Sequence, residues 1–242
     1  MRNRSQSLRG QVALITGASR GIGLAVAQAL ASQGCHLVII ARNGKALKKV
    51  GRELARHGVR VIEKTCDVRS PRSVESLLAT VKKQFGHLDI LINNAGTAHK
   101  NNPVAKLSFA EWRNVIDTNL TAVFLVSRAA LPLMRRGATI VNNLSISATR
   151  VFPGASAYNA SKHGALGFTR TLREELRPRG IRVVALMPGA TDTEIWKIFW
   201  PDAPREKMMS SQTVAQAIID ALLLPANSTI EDVVIMPTGG AL

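Results

Sequence analysis

The sequence predicts an α/β protein built on a doubly wound parallel sheet of seven strands, in the order 3-2-1-4-5-6-7. Three observations predict it. Short apolar runs alternate with helix-forming stretches along all 242 residues, with no composition break, long linker or internal repeat. The first apolar run leads into a glycine-rich turn and then a helix, Thr16-Gly17-Ala18-Ser19-Arg20-Gly21-Ile22-Gly23-Leu24. Small, amide and hydroxyl residues gather just after the apolar runs, at the strands' carboxyl ends, where open α/β sheets form their sites. A single domain over 1–242 follows, with a basic tail at 1–9 and a substrate-loop region at 194–210.

The elements can be justified in chain order. Residues 11–15 (Gln-Val-Ala-Leu-Ile) form a buried strand and 24–31 a helix of strong helix formers. Between them Gly17, Ser19, Arg20, Gly21, Ile22 and Gly23 suit a diphosphate. Glycines let the backbone approach the phosphates, and the helix start offers free N–H groups and a positive dipole end. The spacing is G-x-x-x-G-x-G rather than the general G-x-G-x-x-G. The second strand, 35–41, ends in Arg42-Asn43. An acid there would select NAD by its ribose 2′-hydroxyl, whereas an arginine accommodates the 2′-phosphate of NADP. Arg20 and Arg42 therefore point to NADP(H). A helix at 45–57 and a strand at 60–65 follow. Asp67, beside Val68, either accepts from an adenine amino group or caps the helix that starts near Ser70-Pro71 and runs to 84.

Strand four, 88–92, ends in Asn93-Asn94-Ala95-Gly96, small and amide residues suited to packing on a flat cofactor. After a loop through Pro103, one long helix is expected over 109–135, interrupted in pattern by Asn119 and Pro132. Asn119 lies in an apolar stretch and must bond something; it either satisfies a helix bend or holds a water near the site. Strand five, 138–142, leads to Ser145, and a helix over 156–177 carries Tyr158 and Lys162 four residues apart. Side chains at that spacing share a helix face. A cation held there lowers the phenol's pKa, and such a tyrosine can exchange a proton with a substrate oxygen. Taken alone, Y-x-x-x-K is an ordinary helix-surface pair; its place after a strand end bearing Ser145 makes it a candidate for chemistry. Strand six, 181–186, ends in Pro188-Gly189-Ala190-Thr191-Asp192-Thr193. In 194–209, Trp196, Phe199 and Trp200 either floor a substrate pocket or serve as core or oligomer contact. A helix at 211–224 and a strand at 230–236 complete the chain.

Composition excludes several classes. No run of eighteen apolar residues exists to span a membrane, and the N-terminus lacks the apolar region of a secretory signal. Cys35 and Cys66 have no metal or redox spacing, so a reducing, cytoplasmic setting is expected, and the five histidines suggest no metal site. The net charge of +16 is densest over Arg42, Lys45, Lys48, Lys49, Arg52, Arg56, Arg60 and Lys64. Without a nucleic-acid signature and with 4% aromatic residues, this reads as a solvated basic face rather than a nucleic-acid surface; phosphorylated cofactors or acidic carriers are the other partners it suits.

With these residues in place, the chain resembles the short-chain dehydrogenase/reductase family over about residues 8–240. The resemblance rests on T-G-A-S-R-G-I-G at 16–23, D-V at 67–68, N-N-A-G at 93–96, Asn119, Ser145, Y-N-A-S-K at 158–162 and P-G at 188–189. It implies a catalytic tetrad of Asn119, Ser145, Tyr158 and Lys162. Tyr158 is then the general acid, and Ser145 polarises the carbonyl. Lys162 binds the nicotinamide ribose and depresses the tyrosine pKa, while Asn119 holds a relay water. It also implies Asn94 by the adenosine ribose, Thr191 and Thr193 by the carboxamide, and a homotetramer or dimer. The implied activity is NADPH-dependent interconversion of a small carbonyl compound and its alcohol. A 3-oxoacyl-carrier-protein reductase is an alternative, and an NADP-sensing regulator or scaffold is one of another class. The ending V-V-I-M-P-T-G-G, in place of D-G-G or N-G-G, and the compact loop after Thr193 lean away from the carrier-protein branch.

Overall fold

A computed structural model describes residues 7–241; the expected basic tail at 1–9 lies mostly outside them. The strands are β1 (Val12–Thr16), β2 (His36–Ala41), β3 (Val61–Thr65), β4 (Leu88–Asn93), β5 (Met134–Asn143), β6 (Arg182–Pro188) and β7 (Asp232–Ile235). They form one seven-stranded sheet ordered β3-β2-β1-β4-β5-β6-β7, as predicted. Every neighbouring pair is parallel. The helices are α1 (Gly21–Ser32), α2 (Gly44–Ala55), α3 (Pro71–Phe85), α4 (Phe109–Ile116), α5 (Ala122–Ala130), α6 (Ser156–Leu176), the single turn α7 (Trp196–Phe199) and α8 (Ser211–Leu222).

The apolar runs become strands because the sheet is covered on both faces. Ala13 and Ile15 of β1 point into a core shared with α1, α2 and α8. Val12 and Leu14, of opposite parity, point into a core shared with α3, α5 and α6. Burying a side chain of this size contributes about 2 kcal/mol.

Side-chain caps set the starts of four of the eight described helices. Asn43 caps α2, Ser70 caps α3 with Pro71 in its first turn, Ser108 closes a capping box with Glu111 on α4, and Ser210 caps α8. Asp67 therefore does not cap α3. By contrast, α1 opens at Arg20 with no side-chain cap and no acid in its first turn. Its free N–H groups lie at the crevice where the strand order reverses between β1 and β4.

The long helix expected over 109–135 is broken. A π turn, Asp117–Thr121, separates α4 from α5, and a single 3-10 turn, Leu131–Leu133, ends the run. Pro132 sits in that turn, where its missing N–H cannot extend a helix. The chain then pairs as strand from Met134, four residues before the predicted start, with a register shift ahead of Thr139. At the far edge β7 is shorter than predicted, since only Asp232–Ile235 pairs with β6.

Candidate active site

A cleft of about 680 Å³ runs along the carboxyl ends of the strands. One end is built by the β1–α1 loop and the tips of β2 and β3. It is lined by Gly17, Ser19, Arg20, Gly21, Ile22, Arg42, Asn43, Asp67 and Val68. Gly17 has φ +69, and a Cβ there would lie 3.0 Å from the Cα of Ala95. Gly23 does not line the cleft. A Cβ on it would lie 2.4 Å from both Gly17 O and Asn94 Nδ2, so its role is close packing of α1 beneath the loop.

Asn94, Ala95 and Gly96 form the middle of the floor. The Asn94 side chain is committed to the protein. Its Nδ2 donates to Thr16 O at 2.9 Å and Gly17 O at 3.3 Å, and its Oδ1 accepts from Asn143 Nδ2 at 2.9 Å. It thus pins the glycine loop to β4 and β5. Asp67 is locked to Arg69 at 2.7 Å, whose hydrogen bonds hold the carboxyl below its ordinary value. Arg69 also donates to Asn114 at 2.9 Å and lines the cleft; sequence reasoning passed over it because its partner is 45 residues away.

Ser145, Tyr158 and Lys162 converge at the other end. β5 stops at Asn143, and Ser145 follows at the start of a short 3-10 turn, where its Oγ accepts from Ser147 N at 3.1 Å. The Ser145 side chain acts on the Tyr158 phenol and favours its ionised form. Lys162, 6% exposed, donates from Nζ to Asn143 O at 3.2 Å, and its Nζ lies 5.5 Å from the centre of the Tyr158 ring. Burial pushes the Tyr158 phenol above its ordinary value, and Ser145 pulls it back only in part. Burial also lowers Lys162 to about 8. Burial thus sets the direction of the Tyr158 shift, with Ser145 opposing it.

Asn119 lies behind the cleft rather than in it. Its Oδ1 accepts from Thr97 N at 2.9 Å, and its Nδ2 donates to Thr97 O at 2.9 Å and Ser161 Oγ at 3.1 Å. These bonds hold the π turn against the loop after β4, as the helix-bend reading expects.

Pro188, Gly189, Thr191 and Thr193 line the same end. Thr191 is buried and pairs with Met209 as an isolated bridge. Trp196, Phe199 and Trp200 all line the cleft, so the pocket reading of these aromatics is the one the geometry gives. The Phe199 ring lies 5.8 Å from that of Tyr158. Phe152, Ile195 and Ile198 join them, residues that carry no sequence signal beyond being apolar. Among the described residues, no group of three or more His, Cys, Asp or Glu side chains is placed to hold a metal ion, and no helix is long and apolar enough to cross a membrane.

Known proteins share both the sequence and the geometry. The family model for short chain dehydrogenases matches residues 11–203. A 3-oxoacyl-[acyl-carrier-protein] reductase of Synechocystis is 38% identical over 192 residues, covering 78% of this chain and 77% of its own. Among solved structures, an alcohol dehydrogenase of the archaeon Thermococcus sibiricus, complexed with 5-hydroxy-NADP, superposes with a TM-score of 0.89. It is 32% identical, over 95% of this chain and 97% of that one. A variant of the actinorhodin polyketide ketoreductase, solved with NADPH, superposes with a TM-score of 0.83 at 33% identity, over 94% and 96% of the two chains. This chain belongs to the short-chain dehydrogenase family.

Proposed function

We propose that the protein is an NADPH-dependent reductase that converts a ketone or aldehyde to the alcohol, or runs the reverse reaction. The observation that carries this reading is the convergence of Ser145, Tyr158 and Lys162 on the cleft that the glycine loop opens. The residues present fit the cofactor. The uncapped first turn of α1 offers N–H groups to a diphosphate, and Gly17 lets the loop before it turn tightly against Ala95. Arg20 from the glycine loop and Arg42 at the end of β2 line the cleft, and no acid follows β2 to receive a 2′-hydroxyl.

NADPH, when bound, supplies the hydride to the carbonyl carbon. The chain's own residues do the rest. Ser145 orients the carbonyl, and Tyr158 donates its proton to the oxygen and regains one from solvent. The raised phenol pKa keeps that proton in place at neutral pH, which suits reduction. Lys162 positions the nicotinamide ribose, Thr191 and Thr193 the carboxamide, and Asp67 and Val68 the adenine. Asn119 is a positioning residue for the loop after β4.

The test is NADPH oxidation against a carbonyl panel, with NADH in parallel. Tyr158→Phe lowers kcat on the order of 10²–10⁴-fold. Near-normal turnover by that variant would refute the assignment, and tight NADPH binding with no turnover on a broad panel would favour a sensor. A carrier-protein reductase is the second reading, favoured by the Synechocystis relative's name and by the +16 charge. A homo-oligomer is also proposed, on the ground that Phe109 on α4 and Phe124 on α5 stay 73% and 40% exposed. Light scattering in solution tests it. The buried free thiols of Cys35 and Cys66 support a cytoplasmic setting.

A further inference from the structure

Beyond Tyr158 the cleft changes character. Phe152, Ile195, Trp196, Ile198, Phe199 and Trp200 line it there. The rings form a connected set: Phe199 lies 5.8 Å from Tyr158, Trp196 5.9 Å from Phe199, and Trp200 6.4 Å from Trp196. The one polar atom of the Trp196 ring is withdrawn, since Nε1 donates to Thr191 O at 2.9 Å. The Trp196 and Phe199 rings meet at 70°, an edge-to-face arrangement that leaves ring faces available to a ligand.

The charges there matter as much as the rings. Among the described residues that line this end, the charged side chain is Glu194, and Lys197 sits on it at 2.6 Å. Arg205 is turned away to Asp192 and the Thr193 carbonyl. Among the described residues that line the cleft, Lys162 belongs to the tyrosine, and Arg20, whose charge reaches Glu194, comes from the glycine loop. Two of the apolar lining residues reach the surface, with Ile198 and Trp200 43% and 42% exposed.

The loops that carry these groups are tied together. Asn101 N donates to Phe199 O at 3.2 Å, and Asn102 N to Gly154 O at 3.0 Å. The loops after β4, β5 and β6 thus brace one another, so the aromatic wall is held before a ligand arrives.

We infer that this wall selects an uncharged carbonyl compound bearing a flat apolar ring, held against Phe199 and Trp196 with its carbonyl at Ser145 and Tyr158. The inference rests on the reductase reading. It distinguishes an aryl ketone from a short alkyl ketone, which leaves the rings unmatched. It also distinguishes it from a keto acid, which brings a carboxylate to Glu194 and apolar walls, and from an acyl thioester, whose long polar arm the wall does not match.

The experiment is a matched series with NADPH: acetophenone, butanone, benzoylformate and acetoacetyl thioester of N-acetylcysteamine. Acetophenone is expected to exceed butanone in kcat/KM by about tenfold, chiefly through KM, with benzoylformate and the thioester below it. Binding of acetophenone to the NADP+ complex should quench tryptophan fluorescence, since Trp196 and Trp200 face it. In Phe199→Ala the acetophenone-to-butanone ratio falls several-fold, while Phe199→Leu, which keeps the apolar volume and guards against misfolding, loses it in part. Equal values for acetophenone and butanone, or a preferred thioester or keto acid, would overturn the inference and leave the reductase reading standing. No turnover of any carbonyl would instead remove the reductase reading itself.

Discussion

Lys162 and Tyr158 show how far residue identity reaches and where it stops. Their types and spacing are visible in the chain, but their acidities are not, because burial is a property of the folded surroundings. Desolvation raises the phenol and brings the ammonium to about 8. The sign for catalysis follows. Below about pH 8 the cofactor-free protein carries a charged Lys162, which favours an anionic dinucleotide; above it the charge is lost. The kcat/KM for NADPH in reduction is therefore expected to be level up to about pH 8 and to fall beyond it, since that parameter reports groups of the free enzyme. Oxidation of an alcohol needs the phenolate, so its kcat should keep rising with pH over the same range. Steady-state profiles in both directions check this; a reduction profile that stays level to about pH 10, where an ordinary lysine titrates, contradicts it.

At the scale of elements, the parallel strands were legible because burial on both faces turns them into plain apolar runs, as in β1 and β2. The glycine loop was legible from its context, and so was α6, found within a residue of its predicted bounds. The break between α4 and α5 was not. Asn119 marks the place, but whether an amide bends a helix depends on partners 22 and 42 residues away, Thr97 and Ser161. The pocket lining was half-legible for the same reason. Trp196, Phe199 and Trp200 announced themselves by type, while Phe152 arrives only because the loop after β5 folds against the loop after β4. Asn119→Ala is expected to leave Thr97 N and O without their buried partners. The cost is about 2 kcal/mol, or roughly 4–8 °C in Tm for a chain of this size. A kcat loss should accompany it, because Thr97 lines the cleft. Calorimetry and steady-state kinetics measure the two, and a variant matching the parent in both would show that the π turn holds itself.

The whole molecule carries 32 basic and 16 acidic residues, so each acid that meets a cation at a structural seam counts. The seam between α6 and β7 is such a place. β7 is an edge strand of four residues with Val234 54% exposed, and apolar burial alone gives it little hold. Arg173, buried on α6, donates to Val183 O of β6 at 2.9 Å and to Asp232 of β7 at 2.7 Å. Arg170 adds a second contact to Asp232 at 2.7 Å. Burial alone would raise the Asp232 carboxyl, yet the bonds from Arg170 and Arg173 leave it below its ordinary value. Its contribution is therefore present above about pH 4, where an unfolded aspartate ionises, and is lost as pH falls through the lower folded value. Asp232→Asn keeps the shape and removes the charge. At pH 7 it should cost about 2 kcal/mol and lower Tm by roughly 4–8 °C, with a shallower loss of stability than the parent below about pH 4. Part of that cost would arise from added repulsion in an already cationic chain, and salt near 0.5 M screens that part. The local part, from a buried Arg173 left short of its acid, should survive the salt. Melting at pH 7 in low and high salt, and again near pH 3, separates the two. An Asp232→Asn protein with the parent's Tm in both salts would show that β7 is held without the arginine seam.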